Sequence, residues 1–320
     1  MTWYGKKVGL ALGGGGVRGL AHIGVIKVLE QEGIDIDLIA GTSAGALIGA
    51  AYACGLTPKE ISARVDAYLA SAAFADSTLK SLGESFSPRP KNFLQKTQAY
   101  IQNRYWLTRA FLSPGIVPTG DFQSLIESLL PDIDIRQTQI PFFAVSTDLI
   151  TGSQVVFSEG SLRQAVLASS SVPGAAEPVR IGQWLLADGG VVSLVPVHAA
   201  RNAGADTVIA VMVDRDLPPD ARIETATDVL YRAGEITANA LQAEELKDAD
   251  VVIQPALGTT HWSDFSRSKD LVKIGEAAAR EALTRIHACL PVSRKIARFA
   301  GRLFSKEKSQ PEGRPGPIDC

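Results

Sequence analysis

Two short apolar runs, each broken by glycine and each followed by a helical pattern, fill the first 55 residues. They narrow the fold to a largely parallel sheet covered by helices. Val8-Gly9-Leu10-Ala11-Leu12 runs into Gly13-Gly14-Gly15-Gly16-Val17-Arg18-Gly19, after which Ile23, Ile26 and Leu29 recur at helical spacing up to Glu32. Gly33 suits a helix C-cap. Ile36-Asp37-Leu38-Ile39-Ala40 then leads into Gly41-Thr42-Ser43-Ala44-Gly45 and a second helix over 44–54. This reads as strand, tight turn and helix with Ser43 at the apex. Such a turn leaves no space for side chains beside the serine, so Gly41, Ala44 and Gly45 fit its geometry. Unpaired N–H groups and the positive end of the helix dipole behind Ser43 favour negative charge developing there.

The rest of the chain continues the α/β pattern. Gly55 closes the second helix, and Thr57-Pro58-Lys59-Glu60 has the spacing of a capping box that opens a third. From Phe74 to Pro118 the periodicity loosens and the segment reads as an insertion. It either forms a lid over the mouth of a cleft or is a surface helix pair without a functional part. Helices are expected over 119–130, 161–169, 223–247 and 268–288. Strands are expected over 141–148 with a hairpin partner at 154–158, and further at 185–188, 208–213 and 251–253. No internal repeat is present.

Composition sets outer bounds on function. The chain has 320 residues, 46% hydrophobic and 21% charged, with a formal net charge of −2, which gives no indication of a nucleic-acid partner. Three widely spaced cysteines, Cys54, Cys289 and Cys320, argue against a disulfide framework and a zinc site, and a reducing cytoplasm is the simplest setting. The apolar run after Lys6 and Lys7 is too short for a secretory signal, and no segment approaches the roughly 18 apolar residues of a membrane span.

The glycine loop admits two readings. Gly14-Gly15-Gly16-Val17-Arg18-Gly19 satisfies Gly-x-Gly-x-x-Gly, and Asp35 or Asp37 lies near the spacing of a ribose-binding acid. Asp37, however, precedes the second strand, whose C-terminal end is taken by Gly41-Thr42-Ser43. Alternatively, consecutive glycines aim two backbone N–H groups at one point, as an oxyanion requires. Arg18 then either meets a phosphate or carboxylate on the substrate or holds the loop through an ion pair. A nucleophilic serine also needs a base. Of the four histidines, His22 suits helix packing, His198 opens a helix, His287 lies in the last helix, and His261, beside Trp262, is the one placed like a late triad histidine. Asp188 competes with them. It ends a strand, and Gly189-Gly190 lets the backbone approach closely.

Three separated motifs, Gly14-Gly15-Gly16-Val17-Arg18-Gly19, Gly41-Thr42-Ser43-Ala44-Gly45 and Asp188-Gly189-Gly190, together resemble the patatin-like phospholipase family. Ala168-Ser169-Ser170-Ser171-Val172-Pro173-Gly174 is similar to that family's Ala-Ser-x-x-x-Pro block. Asp264-Phe265 and the helix with Gly275 resemble its small bacterial members. The resemblance covers about residues 6–290 and implies a three-layer α/β/α sandwich over 1–290. It further implies a Ser–Asp dyad of Ser43 and Asp188, oxyanion donors at Gly15 and Gly16, and Arg18 near a lipid phosphate. No metal or other cofactor is implied. The substrate expected is a phospholipid or lysophospholipid, and the alternative is a regulatory or binding protein on the same fold with little turnover.

Beyond the body, residues 291–308 carry Arg294, Lys295, Arg298, Arg302, Lys306 and Lys308 against Glu307, with Val292, Ile296, Phe299, Leu303 and Phe304 at helical spacing. A basic amphipathic helix is expected, lying either on anionic lipid at the inner membrane surface or on the acidic body. The polar, proline-rich tail 309–320 is expected to be disordered.

Overall fold

The computed structural model describes residues 6–85, 115–214, 223–258 and 260–291. The insertion expected over 74–118 is therefore described only at its two ends. The basic helix expected over 291–308 (past Pro291) and the tail 309–320 lie outside the described residues.

The chain folds as an α/β/α sandwich. Its strands are β1 (Val8–Leu12), β2 (Leu38–Thr42), β3 (Gly115–Val117), β4 (Phe142–Asp148), β5 (Gln154–Phe157), β6 (Gly174–Ala176), β7 (Val179–Ile181), β8 (Trp184–Asp188), β9 (Thr207–Val211) and β10 (Val251–Ile253). Its helices are α1 (Ala21–Gln31), α2 (Ala44–Ala53), α3 (Pro58–Leu69), α4 (Ala72–Ala75), α5 (Thr78–Ser85), α6 (Thr119–Leu129), α7 (Leu162–Ser169), α8 (Val197–Asn202), α9 (Ala226–Glu245) and α10 (Ser268–Cys289). The main sheet has the order β10-β9-β1-β2-β4-β8-β7, with β5 also on β4, and β3 pairs β6 separately. The strands from β10 to β4 are parallel, and β5, β7 and β8 pair antiparallel.

Every residue of β1, β2 and β9 is buried, as expected for parallel strands covered on both faces. Alternation along each strand separates large side chains from small ones. Leu10, Leu12, Ile39, Ile209 and Val211 face the core shared with α1, α2, α3, α6, α7 and α10. Ala11, Ala40 and Ala210, with Leu38 and Val208, face a second, smaller cluster that includes α8. Gly9 carries the same logic further, because a methyl there would stand 2.6 Å from the Ala205 side chain. On the other face α1 and α10 interlock through Gly24 and Gly275, each of which lies against a backbone carbonyl of the opposite helix, Val272 and Ala21. Those carbonyls leave no space for a side chain at either position.

Two strands meet end to end, and this junction positions the site. The Ile39 N–H donates to the Pro141 carbonyl and the Leu149 N–H donates to the Leu185 carbonyl. Residues 141 and 149 of one extended strand point to the same edge. Hence β2, paired with Phe142–Val145, and β8, paired antiparallel with Ser146–Asp148, approach each other along one edge of β4. β5 occupies the other edge, where the Asp148 N–H donates to Ser153. The last residues of β2 and β8 therefore face one another across a gap.

Helix α9 reverses the usual amphipathic arrangement. Its Arg232, Glu235, Gln242 and Glu245 turn inward while Val229, Leu230, Ile236 and Leu241 are exposed. Among the described residues, no helix is long and apolar enough to cross a membrane.

Candidate active site

Ser43 follows β2 and precedes α2 with φ 54° and ψ −121°, the one non-glycine residue with positive φ among those described. Such a backbone costs about 1–3 kcal/mol and persists only when its surroundings hold it. Here they do. The Ser43 N–H donates to Ser169 Oγ at 2.9 Å, and that hydroxyl donates to the Val145 carbonyl at 2.6 Å. The Ser43 carbonyl accepts the Leu47 N–H at 3.0 Å. Gly41 and Gly45 let the turn close, since methyls there would meet Ala46 Cα at 2.6 Å and the Gly13 carbonyl at 2.7 Å.

Asp188 stands at the facing strand end, 5% exposed. Its N–H donates to the Ser171 carbonyl at 2.8 Å and its carbonyl accepts from Thr147 Oγ1 at 3.0 Å. Its carboxylate accepts the Gly190 N–H at 2.6 Å and lies near the Ser43 hydroxyl. Burial, the leading cause, raises the Asp188 pKa to about 6, against the lowering effects of the Gly190 N–H and the nearby Ser43 hydroxyl. A close approach makes this possible: a methyl on Gly189 would collide with the Val145 carbonyl.

The glycine loop lies beside the serine, and a methyl on Gly14 would be 3.3 Å from Ser43 Cβ. Its N–H groups divide into two sets. Those of Gly13, Gly14 and Val17 donate to the carbonyls of Val211, Leu194 and Trp262. Those of Gly15 and Gly16, and of Ala44 at the start of α2, meet no acceptor among the described residues. Gly16 has φ 59°, and a side chain there would press within 2.5 Å of the Trp262 carbonyl. Unengaged donors next to a serine hydroxyl, at a helix N-terminus, can receive an oxyanion.

The other candidates occupy defined places. Arg18 is buried, its Nη2 2.6 Å from Asp214 Oδ1 and its Nε donating to the Gly15 carbonyl at 3.0 Å. This is the loop-holding ion pair of the two readings, and a substrate phosphate would share Arg18 with Asp214. His22 is fully buried with Nε2 2.8 Å from the Gly13 carbonyl, and burial lowers its pKa to about 4. It is neutral, so Nε2–H donates and braces the loop. His261 Nδ1 lies 2.8 Å from Ser263 Oγ on its own loop, and His198 and His287 contact Asp248 and Glu32. Asp37 accepts the Val8 N–H at 2.6 Å, at the strand ends opposite Ser43, so it is remote from the position a ribose-binding acid would need. No three His, Cys, Asp or Glu side chains among the described residues could together hold a metal ion.

An apolar pocket with a cavity volume of about 100 Å³, open to solvent, begins at Gly16, Ser43 and Ala44 and is walled by Leu47, Val65, Tyr68, Leu79, Phe122 and Trp262. Asp188 is outside this lining, behind the serine. Motifs alone indicate neither this wall nor the partners that brace the turn. Ser169 and Ser171 belong to a recognisable block, but their bonds to Ser43 and Asp188 depend on strands that meet only in the fold.

A family model for patatin-like phospholipase matches residues 10–201. Over 303 residues, 87% of this chain and 47% of the relative, the sequence is 29% identical to an uncharacterized NTE family protein of Mycobacterium tuberculosis. Over 212 residues, 65% of this chain and 14% of the relative, it is 34% identical to patatin-like phospholipase domain-containing protein 6 of Mus musculus. The chain spans about half the length of the mycobacterial relatives it matches. Among solved structures, VipD from Legionella pneumophila covers 88% of this chain and 67% of its own with a TM-score of 0.47 and 16% identity.

Proposed function

The chain belongs to the patatin-like phospholipase family, and on that premise we propose that it is a serine acyl hydrolase cleaving ester bonds of phospholipids or lysophospholipids through Ser43 and Asp188. The observation that carries the proposal is Ser43, held in a strained turn at the mouth of an apolar pocket, with the buried carboxylate of Asp188 beside its hydroxyl. Ser43 Oγ attacks the ester carbonyl while its proton passes to Asp188, and the N–H groups of Gly15 and Gly16 receive the oxyanion. The carbonyl re-forms, the C–O bond to the leaving alcohol breaks, and Asp188 returns its proton to that alkoxide. Water then attacks the acyl-enzyme, giving its proton to Asp188, and the Ser43 alkoxide leaves and recovers it. The pocket would take the acyl chain. In this reading Arg18 acts on the loop carbonyl of Gly15, with any lipid phosphate a further partner.

The test is labelling with a fluorophosphonate followed by a lipid panel with mass-spectrometric detection of products. Labelling and product formation lost together in Ser43→Ala support the enzyme. Absence of both in the unmodified protein favours the regulatory or binding alternative. Peripheral membrane contact through the basic stretch 291–308, on the cytoplasmic side, is part of the same proposal. Liposome binding unchanged by deletion of 291–320 removes it.

A further inference from the structure

The loop that follows Asp188 touches all three parts of the site, yet it is anchored by a residue that lies in none of the motifs. The Ser193 carbonyl accepts from Thr42 Oγ1 at 2.9 Å, next to Ser43. The Leu194 carbonyl accepts the Gly14 N–H at 2.9 Å, and its side chain packs against Gly14 and Gly190. Asp188 itself begins the loop. What fixes the loop is Glu245, the last residue of α9, 5% exposed. Its carboxylate accepts the Ser193 hydroxyl across both oxygens, at 2.9 and 2.8 Å, and the His198 N–H at 3.1 Å. A buried carboxylate is costly unless its lone pairs are filled. This one is filled by donors from the loop 193–198, so loop and carboxylate hold each other in a single arrangement. The titratable group nearest Glu245 is His198, with Nδ1 at 3.9 Å, and Asp248 holds the far side of that ring at 2.7 Å.

We propose that Glu245 is a positioning residue for the Ser43–Asp188 reaction, clamping the loop 189–198 so that Asp188, Thr42 and Gly14 keep their mutual registry. The proposal rests on the dyad reading. Releasing the clamp lets the loop drift by a fraction of an ångström and admits water to Asp188, while the pocket, built from other elements, is unchanged. The signature is therefore a fall in kcat with KM preserved.

The experiment compares unmodified protein, Glu245→Ala, Glu245→Gln and Ser193→Ala by fluorophosphonate labelling rate, turnover of a soluble p-nitrophenyl ester across pH 4.5–9, and thermal unfolding. Glu245→Ala should lower kcat and labelling rate by roughly 10- to 100-fold at constant KM, the scale of a small misplacement. Its acid limb should move down from near pH 6 toward the ordinary carboxylate range as Asp188 is hydrated. Glu245→Gln, which keeps a carbonyl acceptor, should recover most of the rate. Ser193→Ala should reproduce part of the loss, and the double variant should be no slower than Glu245→Ala alone. Unchanged kcat and acid limb in a folded Glu245→Ala overturn the proposal, and so does equal loss in the Ala and Gln variants. If Glu245→Ala does not fold, full activity and an unshifted acid limb in Ser193→Ala overturn it equally. Absence of Ser43-dependent labelling in the unmodified protein overturns the dyad reading itself, a result distinguishable from the others.

Discussion

Replacing Asp188 with asparagine should make the protein more stable at neutral pH while removing activity. Burial raises the Asp188 pKa from the ordinary carboxylate value of 3.8 to about 6, so between these pH values the folded state binds more protons than the unfolded one. The stability this carboxyl contributes is therefore fully present below pH 3.8 and is lost as pH rises through 6. At about 1.4 kcal/mol per pH unit the gap corresponds to about 3 kcal/mol of destabilisation above pH 7. Asparagine has no such charge to bury, and its carbonyl can still accept the Gly190 N–H. The assay is urea unfolding of both proteins at intervals from pH 4.5 to 8. Every other titrating group, the buried Glu245 included, is common to the two proteins and cancels in the difference. The advantage of Asp188→Asn should be small at pH 4.5 and rise through pH 6 to a plateau of about 3 kcal/mol, with a higher melting temperature of roughly 5 °C. A difference independent of pH would refute the claim that Asp188 is an ionised, desolvated carboxylate in the folded protein.

In the proposed mechanism Asp188 must be ionised to take the Ser43 proton, so kcat/KM for a soluble ester should rise with pH through about 6. Ser169→Ala removes the acceptor of the Ser43 N–H and the donor to the Val145 carbonyl. It should cost about 1–3 kcal/mol in chemical unfolding and slow labelling of Ser43. Gly45→Ala drives a methyl into the Leu12 and Gly13 carbonyls, so denaturant midpoints should fall by an amount equivalent to about 1–3 kcal/mol or more. Turnover by His261→Ala should be retained, because that imidazole is bonded to Ser263, and its loss in an assay of the folded variant would restore a histidine triad.

How much of this was legible in the sequence depends on whether the controlling contact is local. The serine turn is local: its positive φ needs small neighbours, and Gly41 and Gly45 record that need within five residues. The strand ending at Asp188 is likewise marked by Gly189-Gly190. The long helices near 223–247 and 268–288 appear as α9 and α10 within a few residues, since many turns of periodicity accumulate into one signal. Strands β3, β6 and β7 are three residues each, bounded by glycine or proline, too short for alternation to register. Helix α9 shows a deeper limit: its period is readable, but which face turns inward is not, because Glu245 and Gln242 are buried while Leu230 is 75% exposed. Glu245 sits 52 residues from Ser193 and carries no motif. Its partners are backbone N–H groups and one hydroxyl, which many sequences can present. The meeting of Ser43 with Asp188 is non-local in the same way. It depends on β2 and β8 reaching one edge of β4 from opposite directions, an outcome decided by the pairing of residues 142–145 with one strand and 146–148 with the other. Moving either pairing by one residue would turn the strand's side chains to the opposite face, so the same motifs on a slipped sheet would carry no dyad. The candidate site residues are thus marked by short motifs, and the registry that brings them together is set by the strand pairings along β4.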